Sequence, residues 1–170
     1  MQTRTWILLG IAASAAGLWV YSRSQSGTDV IGGIVDKVAS TIRGIRNNNP
    51  TNLEDAGIQW QGMVGTDGPY CVFDTMANGL RAAAINLKNY WRLHGINTID
   101  GICRRWSATD QDAYVANVAG WVGVDPHDSL DMDDPAVRTV VLQAMTRQEE
   151  GLAGELLVDN QIAQAVAANV

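Results

Sequence analysis

Hydrophobic and polar positions change rhythm several times along this chain, and each rhythm predicts a different element. From Thr5 to Ser22 there is no charged residue, with Arg4 before the run and Arg23 after it. As a helix the run is roughly 27 Å long, enough to cross a tilted or slightly thinned bilayer. Trp6 at one end and Trp19 with Tyr21 at the other stand where aromatic side chains settle at a membrane surface. The expectation is one transmembrane anchor over 5–22, with a lipid bilayer as its partner. Ala13-Ser14-Ala15 also fits the small-residue site of a cleaved signal peptide, which is the alternative. Against cleavage, the apolar run resumes at Leu18 and continues to Tyr21. Arg23, Lys37, Arg43 and Arg46, against Arg4 alone, give a modest positive bias that favours a cytoplasmic position for the C-terminal domain.

Residues 23–43 read as a linker and an amphipathic helix. After the joint Gln25-Ser26-Gly27-Thr28, Asp29 is positioned to cap a helix whose apolar face is Ile31, Ile34, Val35, Val38, Ile42 and Ile45. With only Lys37, Arg43 and Arg46 basic, that face is expected to pack on protein rather than lie along lipid.

The next span, 44–152, reads as one domain. Leu53 to Tyr70 is rich in turn residues, and the strand-like Tyr70-Cys71-Val72-Phe73 is predicted to pair with Ile58-Gln59-Trp60 as a short hairpin. Helical spacing begins at Thr75, with Met76, Leu80, Ala83, Ala84, Leu87 and Trp91 on one side and Gly95 as the stop. Asn97 is expected to cap a helix reaching about Trp106, and Asp110 to Gly120 forms another. Asp134-Pro135 is a strong helix start, placing Val137, Val140, Val141, Ala144 and Met145 inward until Gly151. A last helix over 153–170 carries Leu157, Ile162 and Val166. The sum is a mainly α fold with a small β-hairpin, preceded by the transmembrane helix.

Charge and reactive residues narrow the chemistry. The net charge is −6 and no basic run exists, so binding nucleic acid through a charged stripe is set aside. Cys71 and Cys103 lack metal-ligand spacing and a His or Cys cluster, so neither zinc nor another cofactor is expected. They would form a disulfide in an oxidising compartment or stay as two small buried thiols. His94 and His127 are the only histidines, and no Ser or Cys sits in a nucleophile motif.

The most unusual segment is Gly44-Ile45-Arg46-Asn47-Asn48-Asn49-Pro50-Thr51-Asn52-Leu53. Asparagine tolerates left-handed backbone and bonds its own main chain, while a proline ends the helix before it, so the local reading is a helix stop and turn. The same segment, with Trp60-Gln61-Gly62, Phe73-Asp74, Gly79-Leu80-Arg81-Ala82, Tyr90, Gly95-Ile96-Asn97-Thr98 and Arg105-Trp106, resembles a family of small proteins of bacterial viruses and prophages. Asp110 to Val115 and Glu149-Glu150-Gly151 complete the resemblance, which spans Gly44 to Gly151. Members of that family are regarded as virion structural proteins or cell-wall-degrading enzymes. The resemblance implies a lysozyme-like domain, peptidoglycan and other virion proteins as partners, and a place in the virion membrane and, during infection, the host envelope.

Glycosidic cleavage needs a carboxylic acid kept protonated by partial burial. Glu149 ends a helix, where dipole and burial both raise a carboxyl pKa. The segment Ala144 to Gly151 also resembles the catalytic-glutamate helix of lytic transglycosylases, which implies the acid role for Glu149. In those enzymes the helix precedes the groove-lining motifs, whereas here it comes after them, so the correspondence requires a permuted order. Asn48, Asn49, Asn52, Gln61, Tyr90 and Tyr114 supply amides and aromatic faces suited to sugars, and Trp60 or Trp106 would stack. Asp74 is a candidate second carboxylate, as a base or as the holder of a turn. The rival expectation is a non-enzymatic minor capsid protein tying the viral membrane to its shell.

Overall fold

A computed structural model describes residues 7–11, 18–22 and 25–168, with side chains described from residue 32 onward. The chain forms two compact units, Met1–Ile42 and Arg43–Val170.

In the first unit, β1 (Ile7–Ile11) pairs antiparallel with β2 (Leu18–Ser22), with Leu9 opposite Val20. These described parts of the expected anchor are therefore strands, where the uncharged run predicts one helix over 5–22. Ile, Leu, Val, Trp and Tyr suit a strand as well as a membrane helix, so an apolar run alone does not decide between them. The rest of the expected anchor, including Ala13-Ser14-Ala15, lies outside the described residues. No helix among the described residues is long and apolar enough to cross a membrane. The helix α1 (Gln25–Thr41) starts before Asp29, and Ile34 and Val38 on its apolar face are 56% and 42% exposed. The side chains of Asp29 and Ile31 lie outside the described set.

The second unit is mainly helical with one small antiparallel sheet. A single turn, α2 (Arg43–Arg46), leads into the asparagine segment. The sheet joins β3 (Met63–Asp67) to β4 (Tyr70–Phe73), with Asp67 opposite Tyr70. Gly68, at φ 62°, starts the two-residue turn, which its missing side chain permits. Ile58-Gln59-Trp60 is thus not the partner of β4: the Gly68-Pro69 turn brings the nearer segment into register first. From the preceding loop Glu54 bridges to Tyr70, and Leu53 O accepts from the Cys71 N–H at 2.9 Å.

Four helices complete the unit: α3 (Met76–His94), α4 (Ile99–Trp106), α5 (Gln111–Val122) and α6 (Pro135–Ala167). Thr75 caps α3 by accepting from the Asn78 N–H, and Gly95 ends it in the left-handed conformation. The cap of α4 is Thr98, not Asn97, whose amide instead donates to Leu130 O at 3.2 Å. Asp134 caps α6 with Pro135 in its first turn, and Gly151, at φ 69°, breaks the helix where the sequence predicts an end. The segment after the break continues in the same unit. Helices α3 and α5 pack on α6, and α4 on α5. The core between them includes Leu80, Leu87, Ile102, Val118, Leu142 and Ile162. Val140, expected inward, is 41% exposed, because its neighbour Val141 takes the core-facing position. Cys71 and Cys103 are both free and buried.

Candidate functional site

The asparagine segment is built first by backbone geometry. Asn47, Asn48 and Asn49 close α2 with N–H bonds to the carbonyls of Arg43, Ile45 and Gly44. Asn48 and Asn52 both hold left-handed backbone, at φ 53° and 47°, which asparagine adopts more readily than most residues. Their side chains then reach across the fold. Asn47 donates to Asp67 Oδ2 at 3.0 Å, and Asn48 donates to Phe73 O at 2.9 Å. Asn49 is fully buried, donates to Leu53 O and Cys71 O, and accepts from the Leu53 N–H. Asn48 and Asn49 therefore clamp α2 to the β-hairpin, and Asn49 has no face left for a ligand.

Asn52 is different. Its Nδ2 donates to Glu149 Oε2 at 2.9 Å, joining the segment to the last turn of α6 before Gly151. Burial raises the Glu149 carboxyl above its ordinary pKa, and neighbouring Glu54 raises it too. The Asn52 hydrogen bond, the nearby Tyr114 hydroxyl and Arg43 oppose that rise without cancelling it. Tyr114 is 4% exposed, and burial followed by the Glu149 charge pushes its phenol well above its ordinary pKa. Glu149 and Tyr114 open into a pocket of about 140 Å³ shared with Ser107, Thr109, Asp110 and Gln148. Gln148 is fixed by accepting from Asn117 Nδ2 at 3.0 Å.

A second cleft, of about 340 Å³, lies between the 53–60 loop, α3 and α4. Its walls include Leu53, Trp60, Tyr90 and Trp106, with Glu54 and Arg105 as charged lining groups. Tyr90 and Trp106 meet edge to face at 6.1 Å, and the Arg105 guanidinium lies 5.1 Å from the centre of the Tyr90 ring. Trp106 is tethered by its Nε1–H to Thr51 O at 2.9 Å. Loop residues 51–54 thus connect the two cavities: Thr51 holds Trp106, Asn52 holds Glu149, and Leu53 and Glu54 line the cleft.

The sequence-predicted residues separate accordingly. Glu149, Asn52 and Tyr114 come together, while Tyr90 lines the other cleft. Gln61 is exposed in the loop before β3. Asp74 stands at the start of α3, accepting from Asn78 Nδ2 at 2.8 Å and from the Thr75 hydroxyl. Those bonds hold its carboxyl below the usual range, which suits the holder of a turn. Sequence reasoning does not single out Ser107, Thr109 or Asp110 as site residues, nor give Glu150 a role. The one available signal for Glu150 is a second carboxyl immediately before a helix-breaking glycine. Among the described residues, no group of His, Cys, Asp and Glu is arranged to hold a metal ion.

No protein-family model matches the chain. Over 124 residues it is 34% identical to Protein P5 of Pseudoalteromonas phage PM2, a match covering 68% of this chain and 75% of that protein.

Proposed function

The chain belongs to the family of Protein P5 of Pseudoalteromonas phage PM2, and on that premise we propose that it is a virion protein with a lysozyme-like domain that cleaves peptidoglycan glycan strands. The observation that carries this reading is the setting of Glu149. It is a half-buried carboxyl with raised proton affinity, oriented by Asn52 and opening beside Tyr114 into a solvent-accessible pocket. A group of that kind gives its proton to the glycosidic oxygen as the bond to the sugar carbon breaks. In a transglycosylase the sugar's own C6 hydroxyl then closes on that carbon and returns a proton to the same carboxylate, leaving an anhydro sugar. Asp110, in the same pocket, is the carboxylate available to activate water if the reaction is instead a hydrolysis.

The aromatic cleft beside Glu54 supports binding of a further part of the glycan, with Trp60 and Tyr90 as apolar faces. Attachment to the virion membrane belongs to the reading on the strength of the uncharged run from Thr5 to Ser22. Digestion of purified peptidoglycan by the full chain, with products identified by mass, tests the activity and separates anhydro from hydrolysed ends.

A second reading, a non-enzymatic minor capsid protein linking membrane and shell, is favoured by one observation. Ile34 and Val38 in the first unit, and separately Val140 and Leu156 in the second, expose apolar side chains on helices, as contacts with other virion proteins would use. Absence of any released product from several wall types would select it.

A further inference from the structure

Glu150 lies next to the proposed acid and has no part in the reaction above. Its carboxyl reaches α2, where a Cβ on Gly44 would overlap Oε1. The same Cβ would meet the Asn49 backbone carbonyl oxygen, so backbone requires the first glycine of the asparagine segment, and the space it leaves is filled by a carboxyl more than a hundred positions away in sequence. The Gly44 N–H and the Asn52 amide lie beside the carboxyl, with Glu149 and Arg43 as the charged neighbours. Glu149 in turn faces Asn52, Tyr114, Glu54 and Arg43, and the Cys103 thiol lies close enough to feel its charge.

Glu150 Oε1 and Asn52 Oδ1 are both buried in this cluster without a hydrogen-bond partner. Both are acceptors, so neither satisfies the other while Glu150 is ionised. One proton on Glu150 changes that, because a carboxylic acid donates and the amide oxygen accepts. The proton also decides which way the amide points. An amide presents nearly equal shapes in its two flipped orientations, and only its partners choose between them.

We propose that Glu150 is a positioning residue for Glu149: its carboxyl proton is donated to Asn52 Oδ1, and this holds the amide with Nδ2 on Glu149 Oε2. The proton comes from solvent and stays on Glu150, and no bond to carbon is made or broken. Burial first, and the adjacent Glu149 charge with it, favour the protonated form and outweigh the Gly44 N–H, the Asn52 amide and Arg43, which favour the ionised one, pushing the Glu150 carboxyl up to about 7. Loss of that proton leaves the amide between two carboxylates, with Oδ1 unpartnered and the contact to Glu149 loosened. This role for Glu150 rests on the acid role proposed for Glu149, but its test does not depend on cleavage.

The test is an NMR titration of the full chain carrying labelled glutamate carboxyl carbons and labelled asparagine side chains. Wild type is compared with Glu150→Gln and Glu150→Ala from mildly acidic to mildly alkaline pH. In wild type the Asn52 NH₂ signals should shift in step with Glu150 ionisation. Glu150→Gln carries an N–H donor at every pH, so it should hold the Asn52 signals at their low-pH positions throughout and reduce Glu149 to a single titration step. Glu150→Ala should lose the low-pH signature altogether; if it does not fold, the Gln comparison decides. Asn52 signals that ignore Glu150 ionisation, or that titrate alike in wild type and Glu150→Gln, would overturn the proposal. Failure of the glycan-cleavage reading leaves these titrations unchanged, so the two ideas fail separately.

Discussion

Asn52 and Glu149, separated by 97 positions in sequence, meet through a 2.9 Å hydrogen bond from Nδ2 to Oε2. That contact fastens the asparagine segment to the end of a helix and gives a half-buried carboxyl a fixed direction. It also separates the roles of neighbouring asparagines. Asn49 serves the scaffold, and Asn52 serves the carboxyl.

Asn49→Ala should therefore act on stability. It would remove the side-chain bonds to the Leu53 and Cys71 carbonyls and the acceptor of the Leu53 N–H in a fully buried place, leaving Leu53 O with the Cys71 N–H alone. The expected loss is about 3–5 kcal/mol in a denaturant titration. Gln61→Ala, at an exposed loop position, should change stability by less than about 0.5 kcal/mol.

Gly79→Ala should be similarly damaging for a steric reason. The new Cβ would overlap the backbone carbonyl oxygen of Asn48 and press on the Phe73 ring. Backbone cannot step aside as a flexible side chain can, so about 2–3 kcal/mol should be lost. Thermal melts of the two proteins at one pH measure it.

The stability of the domain should fall as pH rises from weakly acidic to neutral. The Glu150 carboxyl goes from an ordinary 4.5 to about 7 on folding, so the folded state holds its proton more tightly. Its contribution is complete below the unfolded pKa and disappears as pH passes through the folded one. Discounted for solvent screening of a partly exposed group, the change is about 2 kcal/mol. Glu149, raised by burial, adds to the same slope. Denaturation at a series of pH values should show this slope reduced in Glu150→Gln, with the variant gaining on wild type at alkaline pH.

Cys71 and Cys103 should be silent toward thiol reagents in the native protein. Burial pushes their thiols up to about 11 and about 12, so thiolate is scarce at mildly alkaline pH and the sulfurs are inaccessible. A colorimetric thiol count should read near zero when folded and two after unfolding.

Much of this architecture is legible in the sequence because short-range chemistry marks it. Asp134-Pro135 opens α6, Gly95 closes α3 and Gly151 breaks the last helix, each through a local requirement that sequence displays. A raised carboxyl at Glu149 is legible for the same reason, since helix end and partial burial come from the apolar pattern around it. The rest depends on partners distant in sequence. Met63–Asp67 contains Gly65 and Asp67 and reads poorly as a strand, yet the turn at Gly68 makes it the partner of β4. Asn97 resembles a cap, but Leu130 O takes its amide and leaves Thr98 to cap α4. Asn48 and Asn49 resemble ligand-binding amides until Phe73 and Cys71 supply their acceptors. The approach of Glu150 to Gly44 is invisible to any local pattern.

The most direct test of the central claim is digestion of purified peptidoglycan by the full chain and by Glu149→Gln, after matching their thermal stability. A general acid of this kind predicts soluble glycan fragments from wild type and a loss of about 100-fold or more in the variant. Equal release by both proteins, or none from a well-folded wild type on several wall types, would contradict it.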